Sequence, residues 1–166
     1  MRIYEGAPRQ NYEDVLRSIG ALLDQLGMRE ITLNETADGF IIQGLTLVAD
    51  EERPFNDPAA RLHKETVVLR EDDIARFMDE AVARRRPRGA PHTASTSQAF
   101  YEPALRALGV YLDQQQPRDV FLFEQEQQFV VRLLMQTRAG LRHLIVEFTR
   151  EEIGAMIAAG LRARGR

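Results

Sequence analysis

Apolar residues recur at helical spacing in four stretches of the chain. Residues 12–26 place Val15, Leu16, Ile19, Leu22, Leu23 and Leu26 on one stripe, the pattern of an amphipathic helix. Asn11 stands where an N-cap is expected, with Asp14 three positions on. Gly27 follows as a C-terminal stop. Further along, Ala104, Leu105, Leu108, Tyr111 and Leu112 repeat the stripe, and Pro103 suits a first turn, where its missing N–H costs little. A third stripe, Ile74, Phe77, Met78, Ala81 and Val82, predicts a helix from about 71 to 85. Ile153, Met156, Ile157, Gly160 and Leu161 predict the fourth, from about 150 to 164.

Between the helices the period shortens. ITLNE (31–35) and FIIQGLTLV (40–48) read as strands, and the intervening Asp38-Gly39 is a hairpin signal. VFLFE (120–124) and FVVRLLMQ (129–136) form a second such pair, joined through Gln125 to Gln128. TVVLR (66–70) and LIVEF (144–148) predict one more strand each, the latter after a short turn at Arg138-Ala139-Gly140.

The order α-β-β-β-α therefore occurs twice, and residue identities follow it. At an offset of 89, Tyr12, Glu13, Leu16, Arg17, Gly20, Leu23, Asp24, Gln25 and Arg29 match Tyr101, Glu102, Leu105, Arg106, Gly109, Leu112, Asp113, Gln114 and Arg118. Phe40 then meets Phe129, and Leu45 meets Leu134. Beyond this the offset drops to 79: Val67 meets Val146, and Asp72-Asp73-Ile74 meets Glu151-Glu152-Ile153. The difference of ten residues locates an insertion within 49–63. We read the chain as a tandem duplication: a first unit over 1–85, a Pro/Gly/Ser/Thr-rich linker over 86–99, and a second unit over 100–166. Units of this size have marginal cores, so the two are expected to share one.

The expected fold class is α+β, with antiparallel sheets, helices on one face and a pseudo-two-fold axis. Edge-to-edge joining into six strands and face-to-face stacking both satisfy the pattern. The same element order occurs in double-stranded RNA-binding domains and small secretion-chaperone-like domains. The basic start of the last helix in the former is replaced here by Glu71-Asp72-Asp73 and Arg150-Glu151-Glu152, so the likeness is one of shape.

One strand breaks the alternation. Where the first unit has Thr32 and Asn34, the second has Phe121 and Phe123, so VFLF is apolar on both faces. A strand wetted on one side should alternate. The second face then needs a cover: the other unit's sheet, a second chain or a ligand. Burial within the protein is the first expectation, and an uncovered patch would mark an interaction surface. Phe121, Phe123 and Phe129 are the candidate partner residues.

Composition narrows the chemistry. The chain has 166 residues, 44% hydrophobic and 28% charged, which excludes a disordered or fibrous protein. With no cysteine there are no disulfides, thiolate metal sites or cysteine nucleophiles. No apolar run approaches the roughly 20 residues of a membrane helix, and MRIYEGAPRQNYED lacks a signal-peptide core, so a cytoplasmic location is expected. Lys64 is the only lysine among 22 basic residues, a bias that codon usage explains more simply than selection for bidentate anion contacts. Residues 1–86 carry 12 basic and 17 acidic groups, net −5; residues 87–166 carry 10 and 8, net +2. Neither is a basic footprint.

The search for chemistry returns little. His63, His92 and His143 have no metal-ligand spacing, and no phosphate loop, G-x-S-x-G or dinucleotide fingerprint occurs. The paired acids Asp72-Asp73 and Glu151-Glu152 fit the first turn of a helix, where the dipole favours negative charge. Asp50, Glu51, Glu52 and Asp57 lack calcium-loop spacing. Arg84, Arg85 and Arg164 end the two units and could meet phosphates, although a helix C-terminus favours arginine anyway. We expect no catalytic residue, metal or cofactor. The leading expectation is a protein-binding or adaptor module whose partner is another protein or a second copy. A small-molecule site in the groove between the units ranks second, and nucleic-acid binding through the arginines third.

Overall fold

The computed structural model describes residues 11–47, 62–83, 99–126 and 128–165. The helices are α1 (Tyr12–Leu26), α2 (Glu71–Ala83), α3 (Tyr101–Gln115) and α4 (Arg150–Arg164). The strands are β1 (Arg29–Thr36), β2 (Gly39–Leu47), β3 (Leu62–Arg70), β4 (Asp119–Gln125), β5 (Gln128–Thr137) and β6 (Gly140–Phe148). The fold is mixed α+β, with one open antiparallel sheet in the order β3-β2-β1-β4-β5-β6. Edge-to-edge joining is thus the arrangement adopted.

Local chemistry explains the boundaries. Gly27 takes a left-handed φ of 65° and ends α1, its N–H reaching Asp24 O. The predicted Asp-Gly turn closes the first hairpin, with Thr36 opposite Gly39 at a φ of 154°. Arg138-Ala139 closes the β5–β6 hairpin, Thr137 being opposite Gly140. The acids that start α2 and α4 return to the backbone. Arg70 N–H donates to Asp73 at 3.0 Å, and Thr149 and Glu152 form a reciprocal capping box.

β3 and β6 each extend further toward the N-terminus than the apolar run alone predicts. Their registers match: Phe40 lies opposite Leu69, and Phe129 opposite Phe148. β5 and β6 meet through a two-residue turn, whereas Leu47 and Leu62 pair across residues 48–61, which lie outside the described residues. Most of the predicted insertion and linker falls there or in 84–98.

All four helices feed a single buried cluster with one side of the sheet. Ile31, Leu33, Phe40, Ile42, Val120, Leu122, Phe129, Val131 and Leu133 meet Leu16, Ile19 and Leu23 of α1 and Leu105, Leu108 and Leu112 of α3. Each fully buried apolar side chain contributes roughly 1.5–3 kcal/mol. α2 and α4 flank the central helices and bury less; Ile74 and Ile153 are their main anchors. Among the described residues, no helix is long and apolar enough to cross a membrane.

Candidate functional site

The centre of the molecule is an antiparallel seam between α1 and α3. A Cβ added at Gly20 would lie 2.5 Å from Tyr101 O, and one added at Gly109 would lie 2.6 Å from Tyr12 O. Glycine at these two positions lets the backbones touch. At these two points the seam has no room for a side chain.

Asn11, the expected cap of α1, makes no side-chain capping bond and sits at a φ of 86°. The cap comes from the other helix. The Asp113 carboxylate accepts the N–H groups of Asn11, Tyr12 and Glu13 at 3.0, 2.7 and 3.0 Å. Asp24 accepts those of Phe100, Tyr101 and Glu102 at 3.0, 2.9 and 2.9 Å. The first N–H groups of a helix have no partner within it, and an external carboxylate answers both their hydrogen bonds and the dipole. Propensity looks for the cap in the adjacent sequence and points to Asn11; the observed acceptor, Asp113, stands about a hundred residues away.

Side-chain pairs extend the seam. Arg17 Nε donates to Glu102 at 3.2 Å, and Arg106 Nε to Glu13 at 2.9 Å. The Tyr12 hydroxyl donates to Glu35 at 2.8 Å and the Tyr101 hydroxyl to Glu124 at 2.5 Å. Burial, and then the bond to the Glu124 carboxylate and its charge, push the Tyr101 phenol well above the ordinary tyrosine range. These groups are mutually satisfied and serve structure. None forms a nucleophile–base pair.

The other face of the sheet is different. Antiparallel register places Val68, Ile41, Asn34, Phe121, Arg132 and Ile145 in one row across all six strands. The neighbouring row is Thr66, Gln43, Thr32, Phe123, Val130 and Glu147. The helices lie on the opposite face, so Phe121 and Phe123 are only half-buried, not enclosed as first expected. Their rings touch at 5.9 Å, and the Arg132 guanidinium sits 5.0 Å over Phe121. Ile145 and Val68 are 63% and 60% exposed.

Phe129 does not join this patch. It is 1% exposed in the core, on the helix side, so it offers no partner surface. The alternation of Phe129, Val131 and Leu133 with Arg132 and Gln136 carried that information. Arg84 and Arg85 lie outside the described residues. Arg164 sits 3.6 Å from Glu13, an acid already held by Arg106.

His63 and His143 stand on the two opposite edge strands, β3 and β6, and His92 lies outside the described residues. Among the described residues no three His, Asp or Glu side chains are grouped to hold a metal. Compared with protein-family models, curated proteins and solved structures, the chain matches none.

Proposed function

We propose that this chain is a non-catalytic protein-binding module built by tandem duplication. The duplication reading draws its support from the residues that recur at the offset of 89. Tyr12 and Tyr101, Glu13 and Glu102, Arg17 and Arg106, Gly20 and Gly109, and Asp24 and Asp113 all make equivalent contacts across the seam. A pseudo-two-fold axis between α1 and α3 accounts for every pair, much as in a symmetric dimer whose subunits have been fused.

The binding surface is the open face of the sheet, and one observation carries it. Within the two rows, the first unit presents Thr66, Gln43, Thr32 and Asn34 beside Ile41 and Val68, whereas the second presents Phe121, Phe123, Val130 and Ile145 around Arg132, with Glu147 at the edge. Aromatic and apolar side chains beside an arginine are what protein interfaces concentrate. The divergence toward aromatic contact is concentrated at the centre of the sheet, where Thr32 and Asn34 of β1 correspond to Phe121 and Phe123 of β4. The partner is another protein or a second copy of the chain.

The test is site-specific photo-crosslinking from position 123, with position 43 as the control, combined with light scattering. Capture of one defined protein, or a dimer that Phe123→Glu returns to monomer, supports the reading. A monomer that cross-links to nothing from position 123 removes it.

A further inference from the structure

α3 and α4 leave a groove between them of about 640 Å³. Small-molecule sites occupy roughly 300–1,000 Å³ and often lie between helices. Its wall is mostly apolar, with Val110 and Tyr111 from α3, Phe148 at the end of β6, and Met156, Ile157 and Leu161 from α4. Along α4 only Ile153 is fully buried; Met156 and Ile157 are half-buried and Leu161 is 60% exposed. The groove is separate from the open sheet face and does not depend on that reading.

The charged lining residues are Glu102, Arg106 and Arg164, in the first half of α3 and the last turn of α4. Glu102 is held by Arg17, and Glu13 is shared by Arg106 at 2.9 Å and Arg164 at 3.6 Å. Among the described residues, three guanidinium groups therefore face two carboxylates. Arg164 also folds back over Gly160, 3.5 Å from where a Cβ would stand, so its guanidinium lies along the groove.

We propose that this groove binds one long-chain fatty carboxylate, the tail along Val110, Met156, Ile157 and Leu161 and the head on Arg164 and Arg106. A neutral apolar ligand would leave the surplus cation unanswered. A small polar anion would leave the trough wet. A single-tailed anion satisfies both, because a carboxylate–guanidinium bond is charge-assisted and the tail removes apolar surface from water.

The experiment is calorimetric titration of the full chain with dodecanoate and with 1-dodecanol, alongside light scattering of the same samples. One equivalent of dodecanoate binds, about tenfold or more tighter than the alcohol, as a charge-assisted head-group bond requires. Arg164→Gln removes most of that preference and leaves alcohol binding unchanged. Val110→Trp fills the groove and abolishes both. Equal binding of acid and alcohol, no saturable binding, or binding indifferent to both substitutions overturns the proposal. So does a dimer that Val110→Trp dissociates, since the occupant would then be a second copy. Arg164 is exposed enough for its variant to fold, so the acid-against-alcohol comparison decides the matter even if Val110→Trp does not fold.

Discussion

Asp24, near the end of α1, accepts the backbone N–H of Tyr101 at 2.9 Å, across 77 residues of sequence. Asp113 does the same for Tyr12 at 2.7 Å. Each central helix therefore begins only where the other one ends. Asp24→Ala or Asp113→Ala should each cost about 1–2 kcal/mol, the usual scale of a lost N-cap. The two sites stand at opposite ends of a 15-residue helix pair, about 20 Å apart, so their costs should add. Urea denaturation of both single variants and the double variant checks this, with exposed Asp79→Ala as the reference. Losses no larger than the reference would refute the reciprocal caps.

Glycine to alanine should change sign with position. Gly154 lies in α4 with nothing within 4 Å of an added Cβ, so Gly154→Ala should stabilise by about 0.5–1 kcal/mol through helix propensity. Gly20→Ala and Gly109→Ala would drive a methyl group into backbone at 2.5–2.6 Å. Overpacking of this kind costs typically 1–3 kcal/mol, which outweighs the propensity gain. Thermal melts of the three variants make the comparison. A stabilising Gly20→Ala would mean that the seam is looser than described.

Tyr101 should make stability fall in alkali. Its folded pKa is raised, chiefly by burial and then by Glu124, while the unfolded phenol titrates near 10.0. Below pH 10 the contribution is complete. Above it the unfolded chain loses a proton that the folded chain keeps, so stability declines by up to about 1.4 kcal/mol per pH unit. Denaturation at pH 8 and pH 11 should show a larger drop for the natural protein than for Tyr101→Phe. Parallel drops would assign the alkaline loss elsewhere.

The two faces of β4 and β5 should respond differently to truncation. Phe129→Ala removes a core ring and should cost about 3–5 kcal/mol. Phe123→Ala, on the open face, should cost no more than about 1 kcal/mol, because solvent already reaches the ring. Denaturant midpoints of the isolated protein report both. Equal losses would mean that Phe123 is covered.

Much of the fold was legible because it is written in local periodicity. The stripe over 12–26 coincides with α1, and the Asp-Gly signal with the first hairpin. The offsets of 89 and 79 reappear as matched registers, Phe40 with Leu69 and Phe129 with Phe148. The candidate patch was read less well. Phe121 and Phe123 break the alternation of their strand and stand half-buried on the face away from the helices, and Phe129 does not stand with them. Its neighbours Arg132 and Gln136 already place it on the other side of its strand.

The sequence by itself determined the four helices, the six strands, the internal correspondence and the two-sided apolar character of β4. These follow from side-chain spacing against periods of 3.6 and 2, which needs no distant partner. Only the tertiary structure decided that the sheet is continuous through β1 and β4 and that, among the described residues, all four helices lie on one face of it. The same holds for the caps of α1 and α3, each supplied by the opposite helix. Those outcomes rest on atoms about 75–100 residues apart meeting within 3 Å. The identity of Asp24 with Asp113 and of Gly20 with Gly109 announced a correspondence. That the shared residues are the seam itself is visible only once the two backbones are in contact.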